Sequence, residues 1–313
     1  MKYFIFMLLS LTFFSMSQAQ SYPEKSVKIV TNLPVGSAPD TVLRKIANRL
    51  KDQWKVPVIV DNRPGAAGAV AMEHYVQNEK SDGYTLYMGD MANFTSMPLL
   101  FQKENLLSEI RPLVPVYRNW FAVVIPANTD VKKLSSAIKN KPFYGSWAVG
   151  SPGHLCGAEI SDRINIEATH ISYKDYNNWY TDIISGQLSL SCSSIGSVDQ
   201  YVKSGRLKLV AVTGPQRDSH MPDVPTVKEV FGFDLGMPHG WIAMFIHKKV
   251  DDQLVKKIHN DVAKVINSDE IKEAIQSSYG IPFNVTLNEF QTVWQNDLQN
   301  YRKLLNKYKI SIK

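Results

Sequence analysis

Two loops rich in glycine, serine and proline carry the residue types best suited to binding an anion. The first loop covers residues 33–40 and the second loop covers residues 146–154. Each follows a β-rich run and opens a helical pattern, so each presents unpaired backbone N–H groups at the positive end of a helix dipole. Glycine lets a ligand approach that backbone closely. Each loop is therefore a candidate anion-binding site.

Strand-to-helix turns of this composition are common, so either loop alone is weak evidence for binding. Their occurrence at corresponding places in two similar units is better evidence. Neither loop contains an arginine that could clamp a carboxylate. We therefore expect fixed amides to bind the anion through charge-assisted hydrogen bonds. Two lips with such donors suit a ligand that is polar at both ends, which favours a dicarboxylate.

Motifs for catalysis, metal binding or nucleic-acid binding are missing from the sequence. It contains no Gly-x-Ser-x-Gly elbow, no His-Glu-x-x-His pattern and no P-loop. His154 and Cys156 are too isolated to argue for a metal site. The formal net charge is +6 and the basic residues are scattered, unlike the basic stripe of a nucleic-acid-binding protein. We predict no enzyme, no cofactor, no metal and no nucleic-acid partner.

The elements that position the loops alternate between strands and helices. Predicted strands cover residues 27–30, 56–60, 84–88, 121–125, a short run into Ser146, 169–172, 188–192, 207–213 and 241–246. Helical patterns fall at 42–50, 72–77, 155–164, 178–184 and 198–204, and the tail from residue 250 is mostly amphipathic helix. This alternation predicts an α/β protein with mainly parallel sheets flanked by helices.

The strand pattern restarts in the middle of the chain and then returns, which predicts two α/β domains joined by two crossings. Residues 20–124 with 246–313 are expected to form domain 1, and residues 125–245 domain 2. We expect hinges near 121–125 and 241–246. A ligand would lie between the domains, at the carboxyl ends of the strands. A rigid interface without function is the alternative.

The N-terminal residues indicate export. Lys2 is followed by a nearly continuous apolar run over residues 4–14, and Ser17 and Ala19 fit the small-x-small rule for cleavage. We predict a signal peptide over residues 1–19, cleaved between Ala19 and Gln20, and a periplasmic mature protein. An uncleaved anchor is disfavoured because the apolar run is too short to span a bilayer.

The chain has two cysteines, Cys156 and Cys192. They could pair in an oxidising compartment, but the sequence does not bring them within bridging distance. We favour the interpretation that they are two small, buried apolar side chains.

Residues 33–40 read Leu-Pro-Val-Gly-Ser-Ala-Pro-Asp, and the segments Asn62-Arg63-Pro64-Gly65 and Asp82-Gly83-Tyr84-Thr85 follow at a highly specific spacing. These motifs resemble those of the Bug family, the substrate-binding proteins of tripartite tricarboxylate transporters, whose first loop reads Pro-Pro-Gly-Gly-x-x-Asp. The resemblance runs from about residue 22 to the C-terminus. It implies a type II-like periplasmic-binding-protein clamp that captures a small organic carboxylate for the membrane subunits of such a transporter. We expect a monomer; a ligand-sensing partner of a signalling receptor is the alternative.

The resemblance also implies which residues bind the ligand. Backbone amides of the first loop hold a carboxylate, partly through waters, and domain 2 supplies the opposite lip. The expected ligand-binding residues are Pro34, Val35, Gly36, Ser37, Ser146, Gly150, Ser151, His154, Tyr173, Lys174, Ser193 and Ser194. His154 could donate to the ligand or be a solvated cap. Asp40 is expected to be the N-cap of the helix after the first loop.

Two positions depart from the family pattern. Ser37 replaces a glycine, which narrows the allowed backbone angles of the first loop. Ser193 stands where family members often have aspartate, and the missing carboxylate puts an amino-acid ligand in doubt. The segment Asn62-Arg63-Pro64-Gly65 is interpreted as a structural turn in which Arg63 braces the fold. Of Trp147, Trp179 and Trp241, we expect at least two in cores.

Overall fold

A computed structural model describes residues 22–173, 175–237 and 239–312. Its strands are β1 (Val27–Thr31), β2 (Val58–Asn62), β3 (Thr85–Asp90), β4 (Ile110–Asn119), β5 (Phe121–Pro126), β6 (Phe143–Ser146), β7 (Thr169–Ser172), β8 (Leu190–Ser194), β9 (Leu207–Val212), β10 (Gly240–His247) and β11 (Ile281–Pro282). The predicted signal peptide and Lys174 lie outside the described residues.

The α-helices lie on the faces of the sheets and connect their strands. They are α1 (Ala38–Trp54), α2 (Ala69–Asn78), α3 (Met91–Phe94), α4 (Ser96–Leu100), α5 (Leu134–Asn140), α6 (Pro152–Arg163), α7 (Tyr176–Ile184), α8 (Ile195–Lys203), α9 (Val227–Phe231), α10 (Asp252–Ile266), α11 (Asp269–Ser277) and α12 (Leu287–Lys307). No helix among the described residues is long and apolar enough to cross a bilayer.

The strands form two sheets with the same internal order. The first sheet runs β11-β4-β10-β3-β1-β2 and the second runs β7-β6-β8-β5-β9. Strand β1 pairs in parallel with β2 and β3, as β6 does with β7 and β8. One reversed strand lies inside each sheet, β10 in the first and β5 in the second, and the short edge strand β11 of the first sheet is also reversed. The α/β class with two helix-flanked sheets is confirmed.

The two inserted strands show where the chain passes between the sheets. The chain leaves the first sheet after β4 and enters the second sheet at β5, so the first crossing lies at Trp120. It returns to the first sheet at β10, so the second crossing lies between α9 and β10. The predicted boundaries at 124/125 and 245/246 would cut through both strands. The division into two domains remains a proposal, with its crossings moved to these earlier positions.

Strand β4 is absent from the sequence-based prediction because it contains two prolines. Proline cannot donate to a β-ladder and is tolerated at edges and bulges. Here Pro112 is opposite Phe245 and Pro115 is opposite Ala243, and both partners adjoin register shifts in β10. The irregular pairing therefore accommodates the prolines in a strand that has neighbours on both sides.

Helix α12 packs against both sheet units. Near its start, the indole of Trp294 donates a hydrogen bond of 2.8 Å to the Phe94 carbonyl in the first unit. At its end, Lys307 pairs with Asp162 of α6 at 2.6 Å in the second unit. Two of the three singled-out tryptophans, Trp179 and Trp241, are buried in cores as expected.

Cys156 and Cys192 form a disulfide, so the interpretation of two unpaired cysteines is wrong. Helix α6 crosses β8 closely and brings the two Cα atoms to 6.2 Å. Glycine makes this approach possible, because a Cβ on Gly153 would lie 2.5 Å from the Cys192 carbonyl oxygen. No pattern in the sequence predicts this close packing.

Candidate ligand-binding site

The two loops lie at the carboxyl ends of the parallel strands. The first loop follows β1, and the second loop begins at the end of β6. Strands that run in the same direction end at the same edge of a sheet, where α/β proteins bind ligands. The ends of β3 and β8 therefore belong to the same candidate site.

A tight turn shapes the first loop. The Ser37 N–H donates to the Pro34 carbonyl at 3.1 Å, and Gly36 adopts a φ of 79°, which costs glycine little. Ser37 is the N-cap of α1 and its hydroxyl accepts from the Asp40 amide. The prediction that Asp40 is the N-cap is therefore wrong, since the helix already begins at Ala38.

Asp40 instead holds the first loop from behind. Its buried carboxylate accepts the Gly36 N–H at 2.8 Å, the Asn62 amide at 2.8 Å and the Arg44 guanidinium at 2.9 Å. Burial opposes ionisation, but the hydrogen bonds from Asn62, Gly36 and Arg44 outweigh it and lower the pKa of Asp40. A buried carboxylate with several donors is stabilised in its charged form.

Asn62 braces the same loop from β2. Its amide also donates to the Leu33 carbonyl at 2.9 Å, and its oxygen accepts from Arg44 at 2.7 Å. Arg63 pairs with its neighbour Asp61 at 2.9 Å. The segment at 62–65 thus has a bracing role, but the side chain of Asn62 performs it and not that of Arg63.

These contacts leave two N–H groups of the first loop, those of Val35 and Ala38, without an acceptor among the described residues. The N–H groups of Gly36 and Ser37 are bonded within the loop, and Pro34 has no N–H. Within the part of the chain that the structure describes, the Val35 N–H has no acceptor. The Val35 side chain is 69 % exposed, so this segment is the outward face of the loop.

The second loop is braced by neutral groups. Ser151 is the N-cap of α6, and its hydroxyl donates to the Ser146 hydroxyl at 3.0 Å. Ser146 in turn donates to the Ala148 carbonyl at 3.0 Å and lies 2.7 Å from His170 Nε2. Since the Ser146 hydroxyl has only one proton, His170 is the donor in that contact. Both serine side chains are fully buried.

His154 cannot supply a positive charge to this loop at neutral pH. Its Nδ1 accepts the Gly150 N–H at 3.0 Å, and its ring stacks on His170 with centroids 3.6 Å apart. Burial first, and then the charge of His170, lowers the pKa of His154 to about 3. Burial lowers the pKa of His170 to about 4. His154 is therefore a buried neutral acceptor, neither a solvated cap nor a cationic donor.

The tip of the second loop packs against the rest of the protein. A Cβ on Gly150 would lie 2.2 Å from Leu100 Cδ1 and 3.5 Å from Leu305 Cδ2. Leu100 ends α4, which follows the first sheet's β3, and Leu305 belongs to α12. Gly150 therefore packs between the two sheet units and does not present an open backbone, whereas a Cβ added to Gly36 would meet nothing within 4 Å.

The remaining predicted residues of domain 2 follow β7 and β8. The Tyr173 hydroxyl donates to Asp182 at 2.6 Å, and the Tyr173 N–H donates to the Ser146 carbonyl at 2.9 Å. Ser193 is buried beside the Tyr180 hydroxyl at 3.3 Å. Ser194 is the N-cap residue of α8, and its hydroxyl lies 2.6 Å from that of Ser197.

The sequence-based prediction missed a polar cluster at the end of β3. Asp90 is the last residue of β3 and the N-cap of α3. Asn32, next to the end of β1, approaches it with its amide at 3.4 Å, and Asn93 donates its backbone N–H at 3.0 Å. Polar residues directly after a predicted strand were the available signal, but the predicted strand stopped at Met88.

Two other features are not assigned to the candidate ligand site. A surface depression of about 390 Å³ includes Pro142 and Asn165, which lie before β6 and β7, at the opposite end of those strands. Asp61, His74 and Glu79 come within metal-ligating distance of one another. However, Lys28 lies 2.7 Å from Glu79 and Arg63 pairs with Asp61, so these acids already have cationic partners.

The sequence matches a known protein family over most of its length. Residues 42–310 match the TctC family, described as the tripartite tricarboxylate transporter family receptor. The chain is 23 % identical over 292 residues to the protein BugT of Bordetella pertussis, covering 90 % of this chain and 89 % of BugT.

Solved structures show the same fold. An R. palustris protein solved with adipate has a TM-score of 0.80 and 22 % identity, covering 93 % of this chain and 99 % of that one. MatC from Rhodopseudomonas palustris, solved with bound malate, has a TM-score of 0.75 and 17 % identity, covering 91 % and 100 %. At these identities the likeness shows the fold alone.

Proposed function

The chain belongs to the TctC family of tripartite tricarboxylate transporter receptors, and on that premise we propose that it captures a small organic carboxylate in the periplasm and delivers it to the membrane subunits of such a transporter. The observation that carries the proposal is the exposed first loop at the carboxyl edge of the first sheet. Its conformation is fixed from behind by Asp40 and Asn62. A fixed donor needs little reorganisation when an anion binds.

Dicarboxylates are the first ligand class to test. This choice is supported by the adipate and malate in the two solved proteins of this fold. Malate and adipate are bound in those two proteins, and a dicarboxylate ligand for this chain is our proposal. A carboxylate end would meet the Val35 N–H on the first loop.

The opposite lip would use residues that follow the strands of the second sheet. We propose that Tyr173, Lys174 and Ser194 contact the ligand. The more buried residues of that lip keep its shape. They are Ser146, Gly150, Ser151, His154 and Ser193.

Export is part of the proposal. The disulfide between Cys156 and Cys192 is consistent with an oxidising compartment, and the predicted cleavage follows Ala19. Mass analysis of the protein from a periplasmic extract should give a chain beginning at Gln20. A chain that keeps Met1 would contradict both the leader and the periplasmic location.

A thermal-shift screen of carboxylates on the mature protein tests the binding function, because a ligand that binds only the folded state raises its stability. Calorimetry with the best ligand then tests the first loop. Gly36→Val should weaken binding strongly and Ser37→Ala only slightly. Gly205→Val is the matched control, because Gly205 has a φ of 70° and nothing within 4 Å.

Lys174→Ala separates backbone from side-chain recognition. If the amide mechanism holds, this variant should retain most of the affinity. Normal binding by Gly36→Val together with complete loss in Lys174→Ala would show that side-chain charge holds the anion. Small-angle scattering should also give a smaller radius of gyration with ligand, because binding to both lips favours a closed state.

A further inference from the structure

We propose that Asp90, with Asn32 and Asn93, forms a subsite for a cationic or hydrogen-bond-donating group at the far end of the ligand. The inference rests on the proposed function and deepens it, because it names the chemistry of the ligand's second end. The ligand class that fits is a small carboxylic acid that also bears an amine.

The cluster lies where a ligand held by the first loop would extend. Asn32 directly follows β1 and precedes the first loop, while Asp90 ends the adjacent strand β3. Two glycines leave room for the amides. A Cβ on Gly89 would lie 2.8 Å from Asn32 Oδ1, and one on Gly68 would lie 2.1 Å from Asn93 Nδ2. The backbone around the cluster is thus shaped to admit these polar side chains.

The carboxylate of Asp90 lacks a positive partner in the described ranges. None of the ion pairs formed there includes Asp90. Its Oδ1 accepts the Asn93 N–H at 3.0 Å, Oδ2 has a long contact of 3.4 Å with Asn32, and the Ala92 N–H also donates to the carboxylate, so all of its partners are neutral. Burial raises the pKa of Asp90 despite these hydrogen bonds. A carboxylate that is removed from water without a cation is costly unless something compensates it.

Neighbouring polar atoms are also without partners. Asn32 Oδ1 and Asn93 Nδ2 are buried and make no hydrogen bond with any described residue. The hydroxyl of Tyr301 on α12 is also buried without a hydrogen-bond partner among the described residues. Burial first, and then the charges of Asp297 and Asp90, raise the pKa of Tyr301 well above its usual value. Asn93 is 1 % exposed. Buried polar atoms normally have partners, so this cluster is prepared for a polar guest.

Tyr176 of the second sheet unit is within electrostatic range of Asp90. It lies at the start of α7 and is 51 % exposed. Burial first, and then the charges of Tyr180 and Asp90, raise the pKa of Tyr176 to about 12. An exposed aromatic ring near a carboxylate suits an ammonium group, through charge-assisted hydrogen bonds to the carboxylate and cation–π attraction to the ring.

This chemistry sets amino acids apart from dicarboxylates. A second carboxylate opposite Asp90 would meet a like charge, which disfavours it. An ammonium group would neutralise Asp90 and could donate to Asn32 Oδ1. The absence of an aspartate at Ser193 therefore does not leave a ligand amine without a partner, because the first sheet supplies that carboxylate through Asp90.

Matched pairs of ligands test the inference by calorimetry at pH 7.5 on the mature protein. Each ω-amino acid is compared with the dicarboxylate of equal chain length: 4-aminobutyrate with succinate, 5-aminopentanoate with glutarate and 6-aminohexanoate with adipate. We expect the best amino acid to bind at least about tenfold more tightly than its partner, which is a modest discrimination for one charge. Asp90→Asn should lower its affinity at least about tenfold and leave or improve that of the dicarboxylate.

Asp52→Asn is the control, because it removes the same charge from an exposed position on α1. It should leave the preference unchanged. Tighter dicarboxylate binding in the wild-type protein, or an unchanged preference in Asp90→Asn, would overturn the inference while leaving carboxylate capture intact. Failure of every carboxylate in the screen would overturn the proposed function, and this inference with it. The wild-type comparison decides the question even if Asp90→Asn fails to fold.

Discussion

The first and second loops have the same local design and different surroundings. Each has a glycine in the left-handed region, Gly36 or Gly150, and a serine N-cap immediately after it, Ser37 or Ser151. The first loop is exposed and is braced by the charged group of Asp40. The second is buried, is braced by hydroxyl and imidazole groups, and packs against α4 and α12.

The comparison shows that the local signal for an anion site does not determine whether the site is open. Both loops place N–H groups at a helix N-terminus. In the second loop, however, the Gly150 N–H donates to His154 and Leu100 packs against the loop tip. The first loop keeps the Val35 N–H at the surface. We infer that the first loop binds and the second loop supports, which makes the clamp asymmetric.

The largest expected effect comes from removing the charged brace. Asp40→Ala should destabilise the protein by about 3 kcal/mol, because it leaves several donors without their buried acceptor. Ser146→Ala in the second loop should cost only about 1 to 2 kcal/mol, since its partners are neutral. Urea unfolding measures both, with Asp52→Ala as an exposed control on the same helix. Equal losses at Asp40 and Ser146 would remove the distinction between the braces.

Acid should weaken the second loop before the first. His154 and His170 have folded pKa values of about 3 and about 4, against roughly 6.5 in the unfolded chain. The unfolded state therefore binds more protons below pH 6.5, and stability falls with pH by about 1.4 kcal/mol per unit for each histidine. Asp40, whose folded pKa is lowered, loses its contribution only as pH falls below 3.8.

Urea unfolding between pH 7 and pH 5 checks this order. His170→Asn should reduce the loss of stability between pH 7 and pH 5 by about 2 kcal/mol, because the full slope is reached only well below the unfolded pKa of roughly 6.5. His239, whose pKa burial also lowers to about 4, contributes in the same direction in both proteins and cancels in the comparison. An unchanged slope in His170→Asn would show that this histidine does not titrate on unfolding.

The two loop glycines should differ in their tolerance of a side chain. Gly36→Ala should cost about 1 kcal/mol from its backbone angle alone, because nothing lies within 4 Å. Gly150→Ala should cost about 2 kcal/mol, since its Cβ would also displace Leu100. A double-mutant cycle with Leu100→Ala should bring the cost at Gly150 down towards that at Gly36. The absence of coupling would contradict the packed loop tip.

The smallest effect should come from the two helix caps, and here the loops should be most alike. Ser37→Ala and Ser151→Ala each remove a hydroxyl that accepts a hydrogen bond in the first turn, at a cost of about 1 kcal/mol. Ser151→Ala also removes the donor to Ser146, so its loss should be slightly greater. Thermal unfolding measures both, and a clear reversal of this order would contradict the serine network of the second loop.

Local signals predicted much of the framework. The alternation of apolar residues found most of the strands and helices, and the motifs at 62–65 and 82–85 identified the family. Strand β4 escaped because Pro112 and Pro115 contradict a local strand pattern, and only the bulges of the neighbouring β10 make room for them. Ser37 and Asp40 both have side chains that can cap a helix, and the sequence-based prediction chose Asp40. Because α1 begins at Ala38, the N-cap is Ser37.

The sequence by itself determined the α/β class, the two strand-to-helix loop designs and the family, since these depend on residues a few positions apart. Only the tertiary structure decided which loop is open, that Cys156 meets Cys192, and that Asp90 has Asn32 and Asn93 as neutral partners. These outcomes depend on how α6, α7 and α12 pack against the sheets. Such packing joins residues tens of positions apart, and its geometry follows from the shapes of whole surfaces and not from any short run of the chain.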